Sequence, residues 1–126
     1  MKRVVELGAV AHFSIAVLDP SASAQWWTSH FNVEVYARSD VRILLGNDSV
    51  VFSLFKGRPD ATVLRHLAFR AQDISSLRSA RDALRDGGVD LEDPGDEVGP
   101  VAEGSKSMGL WFRDIDGYRW ELYVQA

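Results

Sequence analysis

Two histidines and one glutamate are the side chains of this sequence best suited to chemistry: His12, His66 and Glu121. Neutral imidazoles and a carboxylate are ordinary ligands of divalent metal ions. Three protein ligands leave coordination positions open for water or substrate, which is typical of a catalytic rather than a structural site. Such a set suits iron(II) best, with manganese, nickel and zinc as alternatives.

An internal repeat relates the two histidines. Residues 12–21 (HFSIAVLDPS) align with residues 66–75 (HLAFRAQDIS), so that His12 and His66 occupy matched positions. A single strand histidine is more often a surface or hydrogen-bonded residue than a metal ligand. The matched pair favours a metal site over that interpretation. His30 has no counterpart and stands in the last turn of a predicted helix, where a cation suits the helix dipole.

The ends of the two halves also correspond, because residues 52–55 (FSLF) align with residues 120–123 (WELY). In this alignment Ser53 is the residue of the first half that is equivalent to Glu121. Serine is a poor metal ligand, so we expect three protein ligands rather than four.

Strand alternation predicts that the three candidate ligands share one face of the sheet. Successive side chains of a strand point to opposite faces, so His12, His66 and Glu121 lie opposite the apolar residues between them. The side chains predicted to face the core and the helices are Phe13, Ile15, Val17, Leu67, Phe69, Trp120 and Leu122.

The repeat predicts one domain over residues 1–126, with a first module at 9–55 and a second at 64–124. Each module has the order strand, helix, three strands, except that one strand of the second module is hidden in a long loop at 92–104. The first helix is expected to begin with Ser21 or Ser23 as its cap, and the second with Asp73. The predicted strands cover residues 9–19, 34–39, 42–46, 49–55, 66–71, 107–113 and 119–124.

Composition excludes several classes of protein. The chain has 126 residues, 46% of them apolar and 25% charged, which is the balance of a globular domain rather than a disordered one. It has no cysteine, so disulfide frameworks and thiolate sites are excluded, and we expect a reducing, cytoplasmic location. The net charge of −4 argues against nucleic acid as a partner. No apolar segment is long enough to cross a membrane or to act as a secretory signal.

An acidic run occupies residues 86–103, where there is no lysine or arginine. Such a run is most often a solvated loop. The alternative is an acidic lid or a cation-binding rim over the site. The acidic residues of this run are Asp86, Asp90, Glu92, Asp93, Asp96, Glu97 and Glu103.

Three segments give the chain a resemblance to a known family: residues 12–17 (HFSIAV), 66–69 (HLAF) and 111–122 (WFRDIDGYRWEL). Over about residues 9–123 it resembles the vicinal oxygen chelate superfamily, which includes glyoxalase I, extradiol dioxygenases, fosfomycin-resistance thiol transferases and bleomycin-resistance proteins. The last segment is similar to the family's aspartate-proline-aspartate-glycine turn before the ligand glutamate. Ile115 stands where that turn has proline.

The resemblance implies an α+β fold of two βαβββ modules, which form a cupped, partly open β-barrel with helices on its outer face. It implies metal ligands at His12, His66 and Glu121, and a small organic substrate that binds the metal through two vicinal oxygens. Small members commonly form homodimers, sometimes with exchanged modules, so that His12 comes from one chain and the other two ligands from its partner.

Other side chains on the cup face are candidates for catalysis and substrate binding. Ser14 and Tyr123 are the candidate catalytic residues. Arg70 and Arg119 could hold an anionic substrate, although each would more often be an exposed charge. Trp111 and Ser53 complete the predicted substrate-binding set.

Two classes of function follow from the resemblance. The favoured one is a metal-dependent enzyme, more like a dioxygenase than a glyoxalase, because Ser53 stands where a glyoxalase needs a further carboxylate. The alternative is a metal-free protein that sequesters a drug or other ligand, as bleomycin-resistance proteins do. The intact set of ligands favours the enzyme, whereas the acidic run favours the binding protein.

Overall fold

Two helices and two separate β-sheets make up the computed structural model, which describes residues 5–92, 99–100 and 108–125. The first module has the order strand, helix, three strands. The second module begins with the same strand and helix, and four strands follow, two of them of only two residues. The elements are β1 (Phe13–Val17), α1 (Pro20–His30), β2 (Glu34–Arg38), β3 (Arg42–Gly46), β4 (Val51–Lys56), β5 (Leu67–Arg70), α2 (Ile74–Asp86), β6 (Asp90–Leu91), β7 (Gly99–Pro100), β8 (Met108–Arg113) and β9 (Arg119–Val124).

The sheets have the same topology. The first has the strand order β1-β4-β3-β2, and the second has β5-β9-β8-β6 with β7 also paired to β8. In each sheet the first strand of the module pairs in parallel with the last, and the other pairs are antiparallel. Neither sheet closes on itself. The α+β fold with two βαβββ modules is therefore confirmed.

Strand register confirms the alignment of the two halves. In the first sheet Ser14 lies beside Ser53, and in the second Ala68 lies beside Glu121. Ser53 and Glu121 therefore hold equivalent places, as the repeat predicts.

An aspartate caps each helix. The Asp19 carboxylate accepts hydrogen bonds from the backbone N–H groups of Ser21 and Ala22 at the start of α1. The prediction that Ser21 or Ser23 caps this helix was wrong, because Pro20 already has helical geometry and the residue before it becomes the cap. Asp73 caps α2 as predicted, by accepting from the N–H of Ser76 at 2.7 Å.

The two modules pack together through aromatic side chains. Trp27 of α1 is 1% exposed. Its ring lies 5.2 Å from that of Phe52 in the first sheet and 4.8 Å from that of Trp120 in the second. The rings of Phe13 and Phe69, from the first strand of each module, have centroids 6.5 Å apart. The core therefore lies between the helix-covered faces of both sheets.

Much of the acidic run lies outside the described residues, namely 93–98 and 101–103. The lid prediction therefore has no structural test. Strand β6 lies before the predicted loop and β7 within it, and both pair with β8. No helix in the described part of the chain is long and apolar enough to span a membrane.

The turn between β8 and β9 is organised by a buried carboxylate. Asp114 Oδ1 accepts hydrogen bonds from the N–H groups of Asp116 and Tyr118, and Oδ2 accepts one from Trp120 Nε1 at 2.9 Å. Burial raises the pKa of Asp114, while these three donors oppose that shift. Both oxygens of the carboxylate act as acceptors. In asparagine one of them would be an NH₂ group, which would face an N–H donor without being able to accept from it.

The turn also joins the modules. The Tyr118 hydroxyl donates to the carbonyl of Ala16 at 2.7 Å and accepts from the N–H of Asp60 at 3.2 Å. Asp116 Oδ1 accepts from the N–H of Leu18. These bonds connect the second module to the end of β1 and to the segment between β4 and β5.

Asp114→Asn should lower the free energy of unfolding by about 1–3 kcal/mol, because it leaves a buried N–H group without an acceptor. Urea unfolding at neutral pH measures the effect. Asp73→Asn is the matched control, since asparagine caps a helix about as well as aspartate. Equal stability of Asp114→Asn and the wild type would contradict the role given to this carboxylate.

Candidate metal and substrate site

Glu121 lies in the middle of the second sheet, between Ala68 of β5 and Trp111 of β8. Its neighbours in sequence, Trp120 and Leu122, belong to the face that packs in the core. Alternation therefore sets Glu121 on the other face, together with Ala68 and Trp111. His66 precedes β5 by one residue and is two residues from Ala68, which favours the same face.

The Glu121 carboxylate is buried and incompletely paired. The residue is 4% exposed, and Oε2 has no hydrogen-bond partner within the described residues. Burial raises the pKa of Glu121, whereas the charges of His66 and Arg119 lower it. An orphaned carboxylate oxygen beside an imidazole is suited to a cation, since a cation supplies the interaction that burial has removed.

Trp111 joins the His66 side of the site to Arg119. The rings of His66 and Trp111 meet edge to face, with centroids 4.9 Å apart. The guanidinium carbon of Arg119 lies 3.7 Å from the Trp111 ring centroid. His66, Trp111 and Arg119 thus form one contiguous group next to Glu121.

Glu92 holds Arg119 in place. The guanidinium forms two hydrogen bonds with the Glu92 carboxylate, one of them from Nη2 to Oε2 at 2.8 Å. Arg113 Nη2 forms a longer ion pair with Glu92 Oε1, at 3.7 Å. The hydrogen bond from Arg119 is the main cause of the lowered pKa of Glu92. The sequence placed Glu92 in the acidic run, but only the pairing of β6 with β8 shows that it meets Arg119.

The equivalent place in the first module is occupied by two serines. The hydroxyl oxygens of Ser14 and Ser53 are 2.5 Å apart, and Ser53 is 1% exposed. No carboxylate takes the place of Glu121 here. The side chains at this point of the first sheet are consequently small and uncharged.

His12 lies just before β1 and is exposed. It lines a cavity of about 750 Å³ between the modules, along with Arg70 of β5. The Arg70 guanidinium donates to the side-chain oxygen of Gln125 at 2.9 Å. The rest of the cavity wall includes the aromatic rings of Phe13, Trp27, Phe31, Phe52 and Phe69.

The structure brings some of the predicted site residues together and separates others. His66, Glu121, Trp111 and Arg119 form one group on the second module, while Ser14 and Ser53 form a pair on the first. His12 and Arg70 both line the cavity between the modules, and Tyr123 is half-buried two residues after Glu121. Within the described residues of one chain, no group of three histidine or acidic side chains is close enough to hold a metal ion.

Comparison with known proteins decides the family. Residues 9–122 match the sequence model of the Glyoxalase/Bleomycin resistance protein/Dioxygenase superfamily. The chain belongs to this superfamily. No curated protein matches it significantly.

Solved structures of the superfamily share the fold of the chain. The fosfomycin resistance protein FosX from Listeria monocytogenes, complexed with Mn(II) and sulfate, has a TM-score of 0.75 at 18% identity, with 96% of this chain and 93% of that one covered. Lactoylglutathione lyase from Agrobacterium tumefaciens has a TM-score of 0.75 at 16% identity, with 94% of each chain covered. A superfamily protein from Alicyclobacillus acidocaldarius also has a TM-score of 0.75, at 14% identity and with 93% and 91% covered.

The raised pKa of Glu121 predicts a pH dependence of stability in the metal-free protein. The folded state binds this proton more tightly than the unfolded state, so ionisation costs stability as the pH rises above the ordinary value of 4.5. The side chain of Glu121→Gln does not titrate. The free energy of unfolding of Glu121→Gln minus that of the wild type should therefore increase from about pH 4 to about pH 7.

Urea unfolding of both proteins in the presence of a chelator measures this difference. Glu34→Gln is the control, because Glu34 is an exposed strand residue. A difference between Glu121→Gln and the wild type that stays constant with pH would show that Glu121 ionises as easily in the folded state as in the unfolded one.

Proposed function

We propose that this protein is a metal-dependent enzyme that binds a small organic substrate through two vicinal oxygens on a divalent ion. His12, His66 and Glu121 are the proposed ligands. The observation that carries the proposal is the buried Glu121 carboxylate, whose Oε2 has no hydrogen-bond partner among the described residues and which lies in the field of His66.

The chemistry of the donor set fits a divalent ion. A bound ion would interact with Oε2 and offset the burial of Glu121, and the neutral imidazoles would supply nitrogen ligands. When bound, the ion supplies Lewis-acid activation of the chelated oxygens or, if it is iron, binding of dioxygen. Iron(II) is the first choice, and manganese is the main alternative because the structurally similar FosX was crystallised with Mn(II).

The site is proposed to form between two chains. In one chain the two sheets share a core between their helix-covered faces, and Glu121 and the Ser14–Ser53 pair lie on the other faces. His12 belongs to the first module, whereas His66 and Glu121 belong to the second. A homodimer with exchanged modules would bring His12 of one protomer to His66 and Glu121 of its partner.

Side chains around the ligands have proposed roles in binding and proton transfer. Ser14 and Ser53 form a small, hydrogen-bonded surface that leaves room for substrate, and the Ser14 hydroxyl can donate to a substrate oxygen. Tyr123 is a candidate proton donor. Arg70 is the better candidate for an anionic substrate group, since its recorded partner is the neutral Gln125, whereas Arg119 is neutralised by Glu92.

The reaction is proposed to resemble ring cleavage by a dioxygenase more than the glyoxalase reaction. A glyoxalase-type site uses a further carboxylate where this chain has Ser53. That serine is buried and hydrogen-bonded to Ser14, so it offers no base at this position. Trp111 provides one aromatic ring beside Glu121.

A second candidate is a metal-free protein that sequesters an aromatic ligand. The observation favouring it is the cavity of about 750 Å³ between the modules, which is lined by five aromatic rings. Cavities of this size and composition are typical of small-molecule sites. Metal analysis separates the candidates.

The purified protein should bind about one divalent ion per chain, and His66→Ala should lose most of that binding, because a ligand is removed. Calorimetric titration with Mn(II) and metal analysis after iron(II) reconstitution provide the measurements. His30→Ala is the matched control, since His30 is the one histidine of the sequence that is not a proposed ligand. A wild-type protein without metal affinity, together with tight binding of an aromatic ligand, would favour the sequestering protein.

Mixing two inactive variants tests the exchanged dimer. His12→Ala and Glu121→Ala chains each lack a ligand, so neither homodimer has an intact site. In an exchanged heterodimer one of the two sites combines His12 of the Glu121→Ala chain with His66 and Glu121 of the other chain. Co-refolding at equal amounts should restore about one quarter of the wild-type metal capacity.

If each chain instead formed its own site, co-refolding would restore none of that capacity. Mixing His66→Ala with Glu121→Ala is the control. Both changes lie in the second module, so each site of that heterodimer lacks one of these two ligands in either arrangement. Recovery by the first pair but not by the control pair identifies the module boundary as the point of exchange.

A further inference from the structure

The His66 imidazole has no hydrogen-bond partner within the residues that the structure describes, although it stands next to the buried Glu121. Histidines that bind metals usually donate their second ring N–H group to a carboxylate or carbonyl, and this contact fixes the orientation of the ring. His66 is an exposed residue, so water alone would leave its ring free to turn. The contact recorded for its ring is the edge-to-face packing on Trp111, with centroids 4.9 Å apart.

Trp111 is itself held from two directions. In the sheet it lies directly beside Glu121 of β9, and its carbonyl accepts a hydrogen bond at 3.2 Å from the N–H of Glu92, the residue after β6. The Arg119 guanidinium packs on its ring at 3.7 Å. Tryptophan is the best aromatic partner in such cation–π pairs, so this contact favours the observed position of the ring that faces His66.

The Arg119 side chain is in turn fixed by an ion pair. Glu92 binds it through both carboxylate oxygens, which favours a single position of the guanidinium plane. Glu92, Arg119, Trp111 and His66 therefore form a continuous series of contacts that ends at the proposed metal ligand. We call these four residues the clamp.

We propose that Trp111 is a positioning residue, which orients the His66 imidazole for metal binding and is itself held by the Arg119–Glu92 ion pair. This inference rests on the proposed function, because it assigns Trp111 a role toward the ligand His66. Trp111 and Arg119 then arrange the metal site, instead of binding substrate as the sequence predicts. An aromatic face takes the part that a hydrogen-bonding carboxylate plays at other histidine ligands.

Trp111→Leu should weaken Mn(II) binding by about tenfold or more, which is the usual effect of losing a residue that orients a metal ligand. Trp111→Phe should recover most of that affinity, because it keeps an aromatic ring for His66. Glu92→Gln should produce a smaller loss, since it loosens Arg119 but leaves the indole in place. Calorimetric titration of the metal-free proteins with Mn(II) measures all three dissociation constants.

A second tryptophan–histidine pair supplies the matched control. Trp26 and His30 also meet edge to face, with centroids 5.2 Å apart, on helix α1. Trp26→Leu removes an equivalent ring contact away from the proposed ligands and should leave the Mn(II) dissociation constant unchanged. Urea unfolding of each variant shows that the proteins titrated are folded.

A fluorescence measurement tests whether the bound ion lies next to Trp111. Mn(II) binding next to Trp111 should quench its fluorescence, and Trp111→Phe should lose that quenching while Trp26→Phe retains it. Equal Mn(II) affinity of Trp111→Leu and the wild type would overturn the inference but leave the proposed function intact. Failure of the wild type itself to bind Mn(II), iron(II), Ni(II) or Zn(II) would overturn both.

Discussion

Packing between the helix-covered faces of the two sheets is the constraint on which the rest of this structure depends. Trp27 lies at its centre, between Phe52 of the first sheet and Trp120 of the second. Removal of such large rings from water is the main source of stability in a domain of this size. Once alternate residues are committed to this core, the residues between them must lie on the opposite faces. The position of Glu121 is therefore a consequence of the burial of Trp120.

Burial of a carboxylate opposes folding unless something compensates for the loss of water. Asp114 and Glu121 show two solutions within seven residues of the chain. Asp114 is surrounded by three N–H donors and organises the turn before β9. In the part of the chain that the structure describes, Glu121 Oε2 has no donor, and the carboxylate lies in the field of His66 instead. The first arrangement stabilises a local structure, and the second is suited to a cation from outside the chain.

The clamp illustrates how a strand pairing creates contacts that no sequence pattern reveals. Glu92 and Arg119 are 27 residues apart, and they meet because β6 and β9 both pair with β8. The sequence indicated an acidic run and a basic residue near Glu121, but it contained no signal that would pair them. Electrostatic neutralisation of Arg119 by Glu92 also makes Arg70 the better anion-binding candidate, a distinction that depends on these contacts alone.

The sequence by itself revealed the internal repeat and predicted the core-facing strand residues, because both follow from local patterns, and the resemblance of three segments to a known family implied the fold. The register of Ser53 and Glu121 with their neighbours agrees with the alignment of the two halves. The cap of α1 was missed because serines inside the first turn resemble caps as much as Asp19 does. Only the tertiary structure decided which side chains meet. It buried Glu121, joined His66 to Trp111 and set His12 at the cavity between the modules, because distances between residues of different strands depend on packing of the whole chain.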